Sequence, residues 1–168
     1  KCSIENRTDS PCSARHGCGS YERGGGEEAW RTMNCGLDTS ILLRLLTGQP
    51  EGLAAEAVAR LETLWKTGGC CAVSDMVLAE TYYAAHFHYG VEKQDVLDAL
   101  RTLSLDDRFR FSDQAKRVLN IPDLARSKPG FVDRLIHQGY QSEGILMYTC
   151  EKAAARLGDV VVIRANRV

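Results

Sequence analysis

The sequence has 168 residues, of which 44% are hydrophobic and 26% are charged, and its formal net charge is −1. This length is typical of one domain with a proper core. The balanced charge gives no global sign of nucleic-acid binding, so an anionic partner would need a local basic patch or a bound cation. Apolar runs such as 160–163 are too short to span a bilayer, and no signal-peptide pattern opens the chain. The seven cysteines are irregularly spaced and odd in number, so we expect reduced thiols and a cytoplasmic protein.

Residues 1–32 differ from the rest of the chain. They contain almost no aliphatic residues and include the run Gly24-Gly25-Gly26, which predicts a disordered or non-native extension. We expect Met33 to be the natural start, because "GGGEE" lies just upstream as a ribosome-binding site would, and the domain to be 33–168. The extension contains four residues of types that bind zinc, but their spacing matches no regular zinc-finger pattern. These residues are Cys2, Cys12, His16 and Cys18.

From Met33 onward, short apolar segments alternate with helical patterns. Strands are predicted at 33–37, 70–73, 109–111, 145–149 and 160–163. Helices are predicted at 41–46, 51–66, 75–89, 92–105, 113–121, 131–144 and 151–158, with Ser74 and Ser112 as N-caps. Strands separated by helices favour a parallel sheet covered on both faces. We therefore predict an α/β fold: a three-layer α/β/α sandwich with a parallel sheet of about five strands.

Four acidic residues lie near the ends of predicted strands or the starts of predicted helices: Asp38, Glu80, Asp133 and Glu151. Asp38 and Glu151 follow predicted strands directly, and Glu80 lies in a helix that follows a predicted strand. These three acids are therefore expected at the carboxyl edge of a parallel sheet, where such sheets bind ligands. Clustered carboxylates repel one another unless a cation neutralises them. Oxygen-only ligands suit Mg²⁺ or Mn²⁺, and such an ion can activate water for attack on a phosphodiester.

Each acid also has an ordinary structural explanation. Asp38, Asp133 and Glu151 can cap or favour helix N-termini. Glu80 can be a surface helix residue, although its apolar neighbours 77–79 predict a largely buried segment, where an unpaired Glu is rare. The metal-site hypothesis therefore rests on all four acids together.

Four segments resemble, in order, the motif blocks of PIN-domain nucleases, and especially the VapC-type toxin ribonucleases of bacterial toxin–antitoxin systems: "LDTSILLRLL", "VSDMVLAETYYAA", "GFVDRLIHQGY" and "LMYTCEKAAARL". The resemblance extends from residue 33 to about 163. It implies an endoribonuclease that uses Mg²⁺ or Mn²⁺ to hydrolyse RNA, forms a homodimer and is inhibited by a cognate antitoxin protein.

The resemblance also implies roles for individual residues. Asp38 and Asp133 would bind the metal directly, and Glu80 would act directly or through water. Glu151 stands where the family usually has aspartate, so its longer side chain must fold back or act through water. The hydroxyl residues that would support these ligands are Thr39, Ser40 and Thr149.

Basic residues near these blocks are candidate phosphate ligands, with Arg44 and Arg134 foremost; the others are Lys116, Arg117, Arg126 and Lys128. Scattered solvated charge explains each of them equally well when taken alone. His137 lies one turn after Asp133, and we expect it to be structural rather than catalytic.

Two alternatives come from other functional classes. A catalytically weak or inactive PIN-like domain would bind RNA or a protein partner, and Glu151 is the feature that favours it. A haloacid-dehalogenase-like phosphatase needs a second Asp two residues after the first, and Ser40 at that position excludes it.

Overall fold

The computed structural model describes residues 35–164, so the predicted extension 1–32 and the predicted start at Met33 lie outside the described residues. The strands are β1 Cys35–Gly36, β2 Cys71–Ala72, β3 Phe109–Arg110, β4 Met147–Thr149 and β5 Val160–Val162. The α-helices are α1 Thr39–Thr47, α2 Glu51–Lys66, α3 Asp75–Phe87, α4 Lys93–Ser104, α5 Asp113–Leu119 and α6 Phe131–Ser142. Two 3₁₀ segments complete the described fold, Leu124–Arg126 and Lys152–Arg156.

All five strands run parallel to their partners, and the predicted α/β fold is confirmed. The strands form two sheets, however: one in the order β1-β2-β3 and one of β4 and β5. Cys71 of β2 lies opposite both Cys35 and Phe109, and Met147 lies opposite Val160. A strand as short as β1 offers few backbone groups for a further strand to pair with, so the apolar runs in the sequence overstate the length and continuity of the sheet.

The core lies between the three-stranded sheet and helices α1 to α6. The helices contribute side chains that are fully buried, including Leu42 of α1, Leu78 of α3 and Leu100 of α4. These side chains recur at helical spacing with other apolar residues of the same helices, as an amphipathic helix requires. In the described part of the chain, no helix is both long and apolar enough to cross a membrane.

Helix starts follow the capping residues of the sequence. The predicted N-caps are confirmed, because the Ser74 hydroxyl accepts a hydrogen bond from the Val77 amide at 3.3 Å and the Ser112 hydroxyl accepts one from the Ala115 amide at 3.0 Å. The first helix begins at Thr39 rather than at residue 41, since Asp38 caps it. The helix predicted at 151–158 is instead the 3₁₀ segment Lys152–Arg156.

The Thr81 hydroxyl is fully buried in α3 and has no hydrogen-bond partner. Thr81→Val removes this unsatisfied group and keeps the branched shape, so we expect the free energy of unfolding to rise by about 1 kcal/mol. Urea unfolding measures the change. Thr81→Ser keeps the hydroxyl and loses a methyl group, so it should lower the stability by about 1 kcal/mol. A valine variant no more stable than the wild type would contradict the burial of an unpaired hydroxyl.

Candidate active site

Asp38 lies where the chain leaves β1 and enters α1. The Leu37 amide donates to the Ala72 carbonyl at 2.9 Å, which fixes this junction against β2. The exposed Asp38 carboxylate accepts hydrogen bonds from the Ser40 amide at 2.8 Å and from the Ser40 hydroxyl at 3.0 Å. These bonds, that of the amide first, hold the pKa of Asp38 below its usual value. Asp38 is therefore both a helix cap and a carboxylate that is ionised at neutral pH.

Ser40→Ala removes the hydroxyl donor and keeps the amide donor, so the pKa of Asp38 should rise part of the way toward that of an ordinary aspartate. Carbon-detected NMR titration of the side-chain carboxyl measures this. Because the pKa is lowered in the folded state, these bonds stabilise the fold above the ordinary aspartate pKa, and the contribution is lost as pH falls through the lowered value.

Ser142→Ala is the matched control for this titration, since the Ser142 hydroxyl donates to the Gly139 carbonyl instead of to a carboxylate. It should leave the pKa of Asp38 unchanged. If the Ser40 variant also leaves it unchanged, the amide alone sets the pKa of Asp38.

Glu80 is joined to the start of α1 by Thr39. Thr39 is 8% exposed, and its hydroxyl donates to Glu80 Oε2 at 2.7 Å. The expectation of a largely buried segment is wrong for Glu80 itself, which is exposed. Leu78 faces the core, and Glu80 lies about 200° further around the helix, on the solvent side. Thr39 thus supports Glu80, and it follows Asp38 directly in the chain.

Asp133 lies in the first turn of α6, where its exposed carboxylate accepts a hydrogen bond from the Gly130 amide at 3.3 Å. This turn contacts α3, because the rings of Phe131 and Tyr82 lie 5.2 Å apart between centroids. Asp133 is two residues from Phe131, and Glu80 is two residues from Tyr82. The elements of Asp38 and Asp133 therefore both contact α3, the helix that carries Glu80.

Glu151 follows β4 and is held by local bonds. Its amide donates to the Thr149 hydroxyl at 3.0 Å, and its carboxylate accepts from the Ala153 amide at 2.9 Å. Thr149 therefore supports the backbone of Glu151. Both residues belong to the β4–β5 part of the fold rather than to the three-stranded sheet.

The residue types of this region fit a hard divalent cation, since every candidate ligand is a carboxylate or a hydroxyl oxygen. Their arrangement is not a ready-made metal site: within residues 35–164, no three Asp, Glu, His or Cys side chains are grouped so that they could hold an ion together. The elements that carry Asp38, Glu80 and Asp133 pack together through α3. That all four carboxylates converge on one ion stays a prediction. The cysteines and histidine considered for zinc lie outside the described residues.

The two foremost basic candidates are half-buried and hydrogen-bonded. Arg44 donates to the Tyr89 hydroxyl at 3.1 Å, and Arg134 donates to the Pro129 carbonyl at 2.9 Å. His137 is buried, with Nε2 2.6 Å from the Gly158 carbonyl oxygen, which agrees with the expected structural role. Arg156 is absent from the sequence candidates but lines the same cavity as Arg134. No local pattern reveals this, since the two residues meet only through tertiary packing.

A comparison with known protein families covers nearly all of the described residues. Neither curated proteins nor solved structures gave a match to the chain. A family model described as "PIN domain" matches residues 36–160, which is most of the chain and includes all four candidate acids. PIN domains are generally nucleases and usually use divalent metal ions. The chain belongs to the PIN-domain family.

Proposed function

We propose that this chain is a metal-dependent endoribonuclease that hydrolyses RNA phosphodiesters. The observation that carries the proposal is the arrangement at the start of α1. Ser40 binds the ionised Asp38 carboxylate, and Thr39 binds Glu80 from another helix. Consecutive hydroxyl residues thus hold two exposed acids whose charges need a cation before an anionic strand can approach them.

In this proposal Asp38 and Asp133 would hold Mg²⁺ or Mn²⁺ directly, and Glu80 and Glu151 would act directly or through water. A bound ion of this kind supplies an activated water and offsets negative charge in the transition state. The contribution of the chain's own side chains is positional. Ser40 holds the Asp38 carboxylate in place by two hydrogen bonds, and the packing of Phe131 on Tyr82 holds the first turn of α6 beside α3.

We also propose that the protein is the toxin of a toxin–antitoxin pair. A cleft of about 490 Å³ between α1 and α2 is lined by small and aliphatic side chains, with the arginine and glutamate side chains of Arg44, Glu51 and Glu62 also lining it. An amphipathic antitoxin segment would fit such a cleft by placing its apolar side chains inward. Relief of growth arrest on co-expression of the antitoxin, and loss of that relief in Val58→Asp, would test this placement.

A homodimer is the oligomeric state that we propose. Its support is an exposed apolar stripe on α3 formed by Met76, Tyr83 and Phe87, whose spacing of seven and four residues places them on one helix face. Their exposed fractions are 77%, 47% and 67%, which is unusual for large apolar side chains in a row. Light scattering of the purified chain should give twice the monomer mass, and a monomer mass at micromolar concentration would contradict the proposal.

The test of the nuclease function uses the full chain and end-labelled single-stranded RNA. We expect internal cleavage with Mg²⁺ or Mn²⁺, no cleavage in EDTA, and recovery when the metal is added back. A DNA strand of the same sequence is the matched substrate, and it should be cut more slowly or not at all. Cleavage that persists in EDTA would contradict the metal dependence.

The alternative is a PIN-like domain that binds RNA or protein without cleaving. Two observations favour it: Glu151 replaces the usual aspartate, and residues 35–164 contain no ready-made group of three metal-binding side chains. RNA binding with no cleavage in either metal, across RNAs of different sequence and structure, would establish this alternative.

A further inference from the structure

A cavity of about 390 Å³ lies between α5, α6 and the second 3₁₀ segment. Its volume is within the range of pockets that bind small ligands or ligand groups. Its charged lining consists of three arginines from three different elements, Arg117, Arg134 and Arg156, and the lining contains no Asp or Glu. We call this cavity the arginine pocket.

The positive charge of the arginine pocket is not balanced by ion pairs. Within residues 35–164, the salt bridges involve other arginines, those at positions 60, 101 and 108. Arg117 donates to the Gln138 side chain at 3.3 Å and Arg134 donates to the Pro129 carbonyl, and each of these bonds uses one of the five guanidinium N–H groups. Three cations around one cavity repel one another unless an anion enters.

The arginine pocket adjoins the candidate active site along α6. Its α6 lining residues occupy one helix face at spacings of three and four: Arg134, His137, Gln138 and Gln141. Asp133 immediately precedes Arg134 and lies four residues, or about 6 Å along the helix axis, before His137. A strand whose reacting phosphate lies at Asp133 would therefore bring a neighbouring phosphate toward these guanidinium groups.

We propose that the arginine pocket binds a backbone phosphate of the RNA substrate next to the cleaved bond. This inference rests on the proposed ribonuclease function. Guanidinium groups suit the ligand because their planar N–H forks match phosphate oxygens, and three of them can surround one group. Arg156 is a new residue in this role, and the two glutamine side chains at positions 138 and 141 supply polar walls.

The test measures RNA binding rather than cleavage, by fluorescence anisotropy of a labelled single strand in EDTA over a range of salt concentrations. Arg117→Gln/Arg156→Gln removes two exposed charges of the pocket. We expect affinity to fall about tenfold or more, and the slope of log affinity against log salt to decrease in magnitude by about 0.7, since one phosphate contact in a single strand contributes about 0.7. Arg60→Gln removes an exposed charge on α2, away from the pocket, and should change affinity by less than about twofold.

A second arm uses inorganic phosphate and follows the arginine side-chain N–H signals by NMR, which separates a strand phosphate from a free one. Signals of the pocket arginines that shift with phosphate, together with unchanged RNA affinity in the double variant, would overturn the assignment to RNA. No response in either arm would overturn the pocket as a phosphate site. Arg156→Lys keeps the charge but loses the planar N–H fork, so its RNA affinity should lie between the affinities of the wild type and Arg156→Gln.

These outcomes are distinct from failure of the ribonuclease proposal. A wild-type chain that cleaves RNA, with a double variant of unchanged affinity and salt slope, would refute the pocket and leave the nuclease. If the wild type does not cleave RNA and the double variant binds RNA more weakly than the wild type, the nuclease proposal is refuted and the pocket remains an RNA-binding site.

Discussion

Asp38→Asn should lower the rate of RNA cleavage by at least about 10²-fold and leave the fold intact. Asparagine is as good an N-cap as aspartate, so its side-chain oxygen can still accept a hydrogen bond from the Ser40 amide. The substitution therefore removes the negative charge and the oxygen that accepts the Ser40 hydroxyl, and it keeps the cap. Loss of one anionic ligand would cost several kcal/mol of transition-state stabilisation at a metal-dependent site.

Asp113→Asn is the matched control for this experiment, because Asp113 is also an exposed acid at a helix start, in the first turn of α5. Initial rates with end-labelled RNA at saturating Mg²⁺, together with urea unfolding, should separate the two variants. We expect both to be about as stable as the wild type and only Asp38→Asn to be inactive. Equal cleavage by wild type and Asp38→Asn would mean that Asp38 is only a cap.

Phe131→Ala should produce the largest loss of stability among single substitutions near the site. The Phe131 side chain is 1% exposed and packs its ring on Tyr82 at the point where α6 meets α3. Truncating it to alanine leaves a cavity in a packed core, and such changes cost about 3–5 kcal/mol. The midpoint of urea unfolding measures the loss, and the same substitution should loosen the turn that carries Asp133.

Leu105→Ala provides the comparison, since Leu105 is also a large apolar side chain but is 72% exposed where α4 ends. We expect it to change the free energy of unfolding by no more than about 0.5 kcal/mol. Similar losses in the two variants would contradict the packing of Phe131 described here. Phe131→Leu, which keeps most of the volume, should cost less than about 1.5 kcal/mol.

Helix starts could be predicted from the sequence because capping is local chemistry. Ser74 and Ser112 bond amides three residues away, so neither needs distant parts of the chain. The parallel α/β class also follows from a local alternation of apolar segments and helical patterns. Strand pairing is not local, and the separation of β4 and β5 from the other three strands could not be seen in the apolar runs.

The candidate site also has some features that local sequence predicts and others that depend on tertiary packing. Thr39, Ser40 and Thr149 were predicted as supporting hydroxyls, and all three make hydrogen bonds to or beside candidate acids. The exposure of Glu80 depends on how α3 is rotated against the core, which apolar neighbours alone could not fix. Arg156 is a candidate phosphate ligand only because the fold places the second 3₁₀ segment beside α6, where both line one cavity.

The separate β4–β5 pair has a consequence for the dynamics of the molecule. Two strands of three residues are marginal by themselves, and the His137–Gly158 bond is one of the interactions that tie the connection between them to α6. Elements with few hydrogen-bonded neighbours open locally while the rest of a protein stays folded. Glu151 and Arg156 both lie between these strands, so a single opening event would withdraw an acid and a cation from the site together while α1 to α5 remain in place.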